Sequence, residues 1–266
     1  MMESFIYEPL DSEQHDFRLL TLLGGDEKQI RCRISHYSLS SDSAISKPYE
    51  ALSYAWGVTA FVECIEVNDK EFWITENLKT ALDVLRHRDK GNDRTLWIDA
   101  ICVNQEDLKE CNQQVPMMGE IFEKAEQVIF WLGKATKHAR TLMRCLNTLE
   151  SAFVDRSEGE HWEIDDTRWL GLWNSFGFAE EVKQACVTGL EFLLSQPWFE
   201  RVWIIQEVAR ASVGTVCISD FNVSPKILAV APVVLDTIPD PHCLSILSIM
   251  PGLARSSSRS SMLHSI

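Results

Sequence analysis

The chain is expected to be an α/β protein built on a mainly parallel sheet flanked by helices. Three observations carry this expectation. Between Tyr49 and Gly133, strand-like and helix-like segments alternate in the order strand, helix, strand, helix, strand, the rhythm of parallel strands joined by crossover helices. The stretch "LWIDAICVNQ", Leu96 to Gln105, stays almost wholly apolar until Asn104, as a strand covered on both faces does. Of the 266 residues, 45% are hydrophobic, enough for a sizeable core in one large domain or two small ones.

Taken in order, "FRLLTLL" and "QIRCRISHYSL" read as two strands joined at Gly24-Gly25-Asp26, a hairpin beside the main sheet. "YEALSYAWG", Tyr49 to Gly57, reads as a buried strand closed by a glycine turn. "CIEVNDKEFWIT" has Asn68-Asp69 at its centre and predicts a second hairpin. Thr75 caps a helix over "ENLKTALDVLRH", where Leu78, Ala81, Leu82 and Leu85 share one face. After the strand at Leu96, "QQVPMMGEIFEKA" places Val115, Met118, Phe122 and Ala125 on one helical face, with Gln113 and Gln114 at its start. "QVIFWLG" is the next strand. Residues 138 to 195 read as a mostly helical insertion, with "DRSEGEHWEIDDTRW" at the surface. A helix then breaks at Pro197, a second starts near Trp198, and "GTVCISD" forms the last strand. This gives one domain over residues 1–225, followed by a weakly structured segment, 226–266, whose "RSSSRSSM" has the composition of a flexible tail.

Twenty-five basic against 39 acidic side chains give a net charge of −14, which argues against nucleic acid as a partner. The eight cysteines are scattered singly, so a reducing, cytoplasmic setting is expected rather than a disulfide framework. The N-terminal stretch lacks the pattern of a secretory signal, and "ILAVAPVVL" at 227–235 is too short to span a bilayer, so no membrane association is expected. Neither of the glycine-rich phosphate signatures occurs, nor H-E-x-x-H, nor a nucleophile elbow. His161, between Glu160 and Glu163, is the nearest approach to a metal cluster, and a solvated loop explains it better. Neither a metal nor a cofactor is expected.

"YEALSYAWG", "LWIDAICVNQEDLKECNQQVPMMGEIFEKAEQVIFWLG" and "PWFERVWIIQEVARA" together resemble the heterokaryon-incompatibility (HET) domain of fungal proteins, over about residues 49 to 220. The order of the blocks matches. The chain departs at Cys111, where a basic residue is usual after Glu110, and at Ser219, where a glycine commonly follows the last strand. The resemblance implies a domain that triggers cell death when genetically different cells fuse, a form of fungal innate immunity. It also implies a distant relation to the TIR domain, hence a TIR/flavodoxin-like sheet with N-terminal hairpin additions and a helical insertion. Some TIR domains cleave NAD through a glutamate in a W-C-x-x-E helix; "WIIQE", Trp203 to Glu207, keeps that step with Ile204 in place of the cysteine.

On that resemblance Glu207 is the candidate catalytic residue and NAD the candidate substrate. A carboxylate held against the ribose would stabilise the oxocarbenium-like state formed as nicotinamide leaves. The candidate substrate-binding residues cluster near the carboxyl ends of the strands, where clefts form in parallel sheets: Ser53, Trp56 and Gly57, then Asp99, Asn104 and Gln105, with Trp203 one helical turn before Glu207. Each has a plainer reading. Glu207 could pair with Arg210 at i+3, and Trp56 and Trp203 could be core. By strand alternation Asp99 shares a face with Trp97 and Ile101. It could accept hydrogen bonds from loop amides or from "SYAWG", pair with Arg201, or touch a ligand. At the level of the molecule three readings stay open: a NAD-cleaving incompatibility domain, a non-enzymatic module that self-associates or recruits an incompatibility partner through the same fold, and a HET-like protein with a biosynthetic accessory role.

Overall fold

The computed structural model describes residues 3–11, 15–39, 47–57, 60–156 and 162–252. The strands are β1 (Asp16–Leu22), β2 (Arg31–Ser38), β3 (Glu50–Tyr54), β4 (Phe61–Val67), β5 (Lys70–Thr75), β6 (Arg94–Trp97), β7 (Gln127–Trp131), β8 (Gly214–Ile218) and β9 (Phe221–Val223). They form one mixed sheet in the order β5-β4-β2-β1-β6-β3-β7-β8-β9. Its centre, β6-β3-β7-β8, is parallel. Counting these four in chain order gives 2-1-3-4, the start of the flavodoxin-like strand order. β3 and β7 are buried from their second residue onward, as strands covered on both faces must be.

Both expected hairpins form, and both join this sheet. β1 pairs antiparallel with β2 on one side and with β6 on the other. β4 and β5 turn at Asn68 and Asp69, with φ of 51° and 62°, the left-handed pair that a tight hairpin requires and that Asn and Asp tolerate. Thr75 caps α1 (Glu76–Leu85), accepting from the Leu78 amide, and Leu78, Ala81, Leu82 and Leu85 are its buried face.

The stretch at Leu96 is where the structure departs furthest from the expected strand. β6 ends at Trp97, and Asp99–Cys102 is a single helical turn, α2, so Asp99 does not alternate with its neighbours along a strand. Asn104 and Gln105 follow this turn rather than ending a strand. The next helix, α3 (Leu108–Lys124), begins earlier than expected because Asp107 caps it, accepting from the Lys109 and Glu110 amides. Gln113 and Gln114 are therefore inside it. Its buried residues are Glu110, Gln114, Ile121 and Phe122, whereas Val115 is 37% exposed.

The insertion after β7 contains α4 (Lys137–Arg156), α5 (Arg168–Ser175) and α6 (Glu180–Leu194). Its polar stretch is not all surface: Trp162 is buried and packs edge-on against Phe153 and Trp169. His161 lies outside the described residues, as does the serine-rich tail. A 3-10 turn, Pro197–Glu200, begins at Pro197 itself, and α7 (Ile204–Arg210) starts later than Trp198. Beyond β9, as far as residue 252, the chain forms helices where a weak segment was expected. α8 (Pro225–Val234), capped by Ser224, is buried almost all round, and α9 (Pro241–Ser248), capped by Asp240, follows. No helix among the described residues is long and apolar enough to cross a membrane.

Candidate functional site

Tyr49 and Ser53 lie four residues apart, so they leave the same face of the sheet. The Tyr49 hydroxyl donates to the Ile121 carbonyl of α3 at 2.6 Å, and the Ser53 hydroxyl donates to Oε2 of Glu207 in α7. This face therefore carries α3 and α7. Beyond it, the carboxyl ends of β3 and β6 open into a hollow of about 800 Å³.

Of the expected site residues, Trp56, Gly57, Asp99, Gln105 and Trp203 line this hollow. Ser53, Asn104 and Glu207 do not. Asn104 is a turn residue: its side-chain oxygen accepts from the Glu106 amide at 3.2 Å, and its own amide donates to Glu110 at 2.6 Å. Ser53 lies beneath the wall, where its hydroxyl oxygen accepts the Trp198 indole N–H at 2.8 Å.

Glu207 is 1% exposed and fully engaged. Both its oxygens accept from Arg201, at 2.9 Å each, in a bidentate pair, and Ser53 supplies a further donor. Arg201 thus pairs with Glu207 rather than with Asp99, and Arg210 reaches Glu123 at 2.9 Å rather than Glu207. Burial pushes the Glu207 carboxyl above its usual range, opposed by the Arg201 charge and the Ser53 hydrogen bond. Arg201 itself lines the hollow, standing between the buried carboxylate and the ligand space.

Asp99 is the carboxylate on the wall. Its Oδ2 accepts the Trp56 indole N–H at 3.1 Å and its Oδ1 the Ala100 amide at 2.7 Å, while its carbonyl receives the Gln105 side chain at 2.9 Å. Burial raises its pKa, with Arg201 and Trp56 pulling the other way. The "SYAWG" segment thus holds Asp99 through Trp56. Tyr54 sits close enough to feel both Asp99 and Arg201; burial drives its phenol well up, and its hydroxyl has no hydrogen-bond partner among the described residues.

Val115 and Met118, expected on one helical face with Phe122 and Ala125, line the hollow, and Met118 also packs against the core. A second support went unread. Arg18, 1% exposed, pairs with Glu110 at 2.6 Å and donates to the Cys102 carbonyl at 3.1 Å, so β1 fixes both α2 and the loop carrying Asn104. Nothing in the local sequence links two residues 92 positions apart. The two departures noted above have defined places. Ser219 adopts φ 49°, the conformation glycine favours, and its hydroxyl accepts from the Ala135 amide at 2.9 Å; the Cys111 thiol donates to the Asn104 carbonyl. Among the described residues no group of His, Cys, Asp and Glu could hold a metal ion.

The family model described as heterokaryon incompatibility protein (HET) matches residues 49–207. Heterokaryon incompatibility protein 6, OR allele, of Neurospora crassa is 34% identical over 193 residues, covering 61% of this chain. The match spans only 28% of that relative's length. No solved structure matches.

Proposed function

The chain belongs to the heterokaryon-incompatibility family, and from that premise we propose that it acts in the cytoplasm in the cell-death response to fusion of unlike fungal cells, through a ligand bound in the cleft beside Arg201. The observation that carries this reading is the hollow of about 800 Å³ at the carboxyl ends of β3 and β6, furnished with Trp56, Trp203, Asp99 and Arg201. Two indoles offer stacking surface for a planar ring, and a guanidinium offers a bidentate seat for a phosphate. NAD carries both groups, and the resemblance to TIR domains points to the same ligand.

Cleavage would break the bond between the ribose C1′ and the nicotinamide nitrogen. The bonding electron pair leaves with neutral nicotinamide, and water adds to the oxocarbenium-like ribose and loses a proton. A nearby carboxylate stabilises the positive charge. In the geometry observed, Asp99 is on the wall, while Glu207 lies behind Arg201. A ligand phosphate that draws Arg201 towards itself would leave Glu207 without its counter-ion and facing the ribose. Incubating the concentrated, purified protein with NAD tests the reading. Nicotinamide release that is lost in Glu207→Gln, with circular dichroism unchanged, supports cleavage through Glu207; loss only in Asp99→Asn transfers the role to the wall carboxylate.

Absence of release even at high concentration favours the second reading, a self-associating module with no chemistry of its own. One observation supports it: Val202, Trp203 and Ile205 expose 83%, 45% and 36% of their surface in close succession at the start of α7.

A further inference from the structure

The chain runs from β3 to β6 on one side, then returns across β3 to β7 on the other. The point where an open α/β sheet reverses direction in this way lies between β3 and β7, and crevices outside the carboxyl ends of strands at such points receive ligands. The hollow beside Arg201 is on the β3/β6 side. A second one, of about 500 Å³, lies at the reversal itself, lined by Ala55 beyond β3, by Trp131, Gly133 and Lys134 at the end of β7, and by Asn77 of α1. Both volumes fall in the range of roughly 300–1,000 Å³ usual for small-molecule sites.

The second hollow is built rather than incidental. Asn77 donates to the Ala55 carbonyl at 2.6 Å and accepts the Trp131 indole N–H at 3.0 Å, tying the ends of the two strands to the start of α1. Gly57 and Gly133 leave their strands with φ of 72° and 93°. This left-handed backbone is what favours glycine at both positions; a Cβ on either would meet Asn77 only at an ordinary 3.7 Å. Lys134 stands at the rim, 64% exposed, with the equally exposed Glu76 as its partner. The two hollows are neighbours: Ala55, Gly57 and Pro197 line both.

We infer that the two hollows form one bipartite groove for a dinucleotide, with a nucleoside half in each and the linking diphosphate crossing the shared ridge at Ala55, Gly57 and Pro197, between Arg201 and Lys134. A small backbone ridge admits phosphate closely, and among the described lining residues each hollow has one cation, Arg201 and Lys134, whose present carboxylate partners, Glu207 and Glu76, a diphosphate would replace. This rests on the nucleotide reading above and extends it: the reversal-point hollow, where Gly57 is the one lining residue expected at the site from sequence, selects dinucleotides over mononucleotides.

The test is calorimetric titration with carba-NAD, whose glycosidic bond does not break, and separately with AMP and with nicotinamide mononucleotide. Two exposed rim positions are varied, Val62→Trp to fill the second hollow and Lys134→Ala to remove its charge. The inference expects carba-NAD to bind wild type at least tenfold more tightly than either mononucleotide. It expects Val62→Trp to weaken carba-NAD at least tenfold and abolish binding of one mononucleotide while sparing the other, and Lys134→Ala to weaken carba-NAD several-fold. Tight carba-NAD binding that both variants leave unchanged, or loss of both mononucleotides in Val62→Trp, overturns the bipartite groove and leaves the first hollow standing. If none of the three ligands binds wild type, the nucleotide reading falls and the groove with it.

Discussion

At the scale of single residues, the pair Arg201 and Glu207 decides how the site behaves. Removing one member of a buried ion pair costs far more than removing both, because the survivor's charge stays out of water. Arg201→Met is expected to lower the unfolding free energy at pH 7 by roughly 3–5 kcal/mol, and Arg201→Met with Glu207→Met together by far less, as read by urea denaturation. Acid should narrow the deficit of the single variant. Burial sets the native pKa of Glu207 above the ordinary 4.5, so between those values the native state holds a proton that the unfolded state has lost. The contribution of Glu207 to stability is thus most favourable below the unfolded pKa and declines as pH rises through the native one. The stability of wild type relative to Glu207→Gln should fall from pH 4 to pH 7; a difference that rises over that interval would show an ionised, net-stabilising carboxylate instead. A buried carboxylate was legible from the apolar run "RVWIIQEVARA", but its partner was not. Arg201 sits just past the 3-10 turn that begins at Pro197, where helical spacing no longer says which side chains meet.

At the scale of elements, periodicity was informative where helices are amphipathic and silent where they are not. α1 was legible to its cap, because its four buried residues recur at i, i+3, i+4 and i+7. The turn at Asp99 and the helix α8 were both missed, since a segment apolar on every side carries no period to read. In α8, Pro225 at the start and Pro232 near the end fit a helix of 10 residues, yet the same prolines look like interruptions in the bare sequence. The burial of α8 can be tested through Leu228, which is fully enclosed. Leu228→Ala is expected to cost roughly 2–5 kcal/mol in equilibrium unfolding. A cost below about 0.5 kcal/mol, the range of surface substitutions, would mean the segment after β9 is as loose as its sequence suggested.

At the scale of the molecule, the cooperative unit is wider than the stretch by which the family is matched, residues 49–207. The parallel centre was foreseeable from the alternation of strand-like and helix-like segments, although β3 and β7 pair residues 77 positions apart, as Glu50 with Gln127. The hairpin was expected beside this sheet, but not that β1 would pair with β6, since no alternation of strands and crossover helices marks which strand an added hairpin joins. β1 nonetheless buries Phe17, Leu19, Leu20 and Leu22, each contributing roughly 1.5–3 kcal/mol, a sum comparable with the whole net stability of a typical domain. It also supplies Arg18, the counter-ion of Glu110, which in turn holds the Asn104 amide below the cleft wall. A protein trimmed to residues 46–266 therefore loses apolar burial, a sheet neighbour of β6 and the charge that balances a carboxylate 7% exposed. It should show no cooperative thermal transition and no near-ultraviolet dichroism, although the matched region is intact. Cooperative melting within a few degrees of the parent would mean instead that β1 and β2 are an appendage and that the cleft stands on its parallel strands alone.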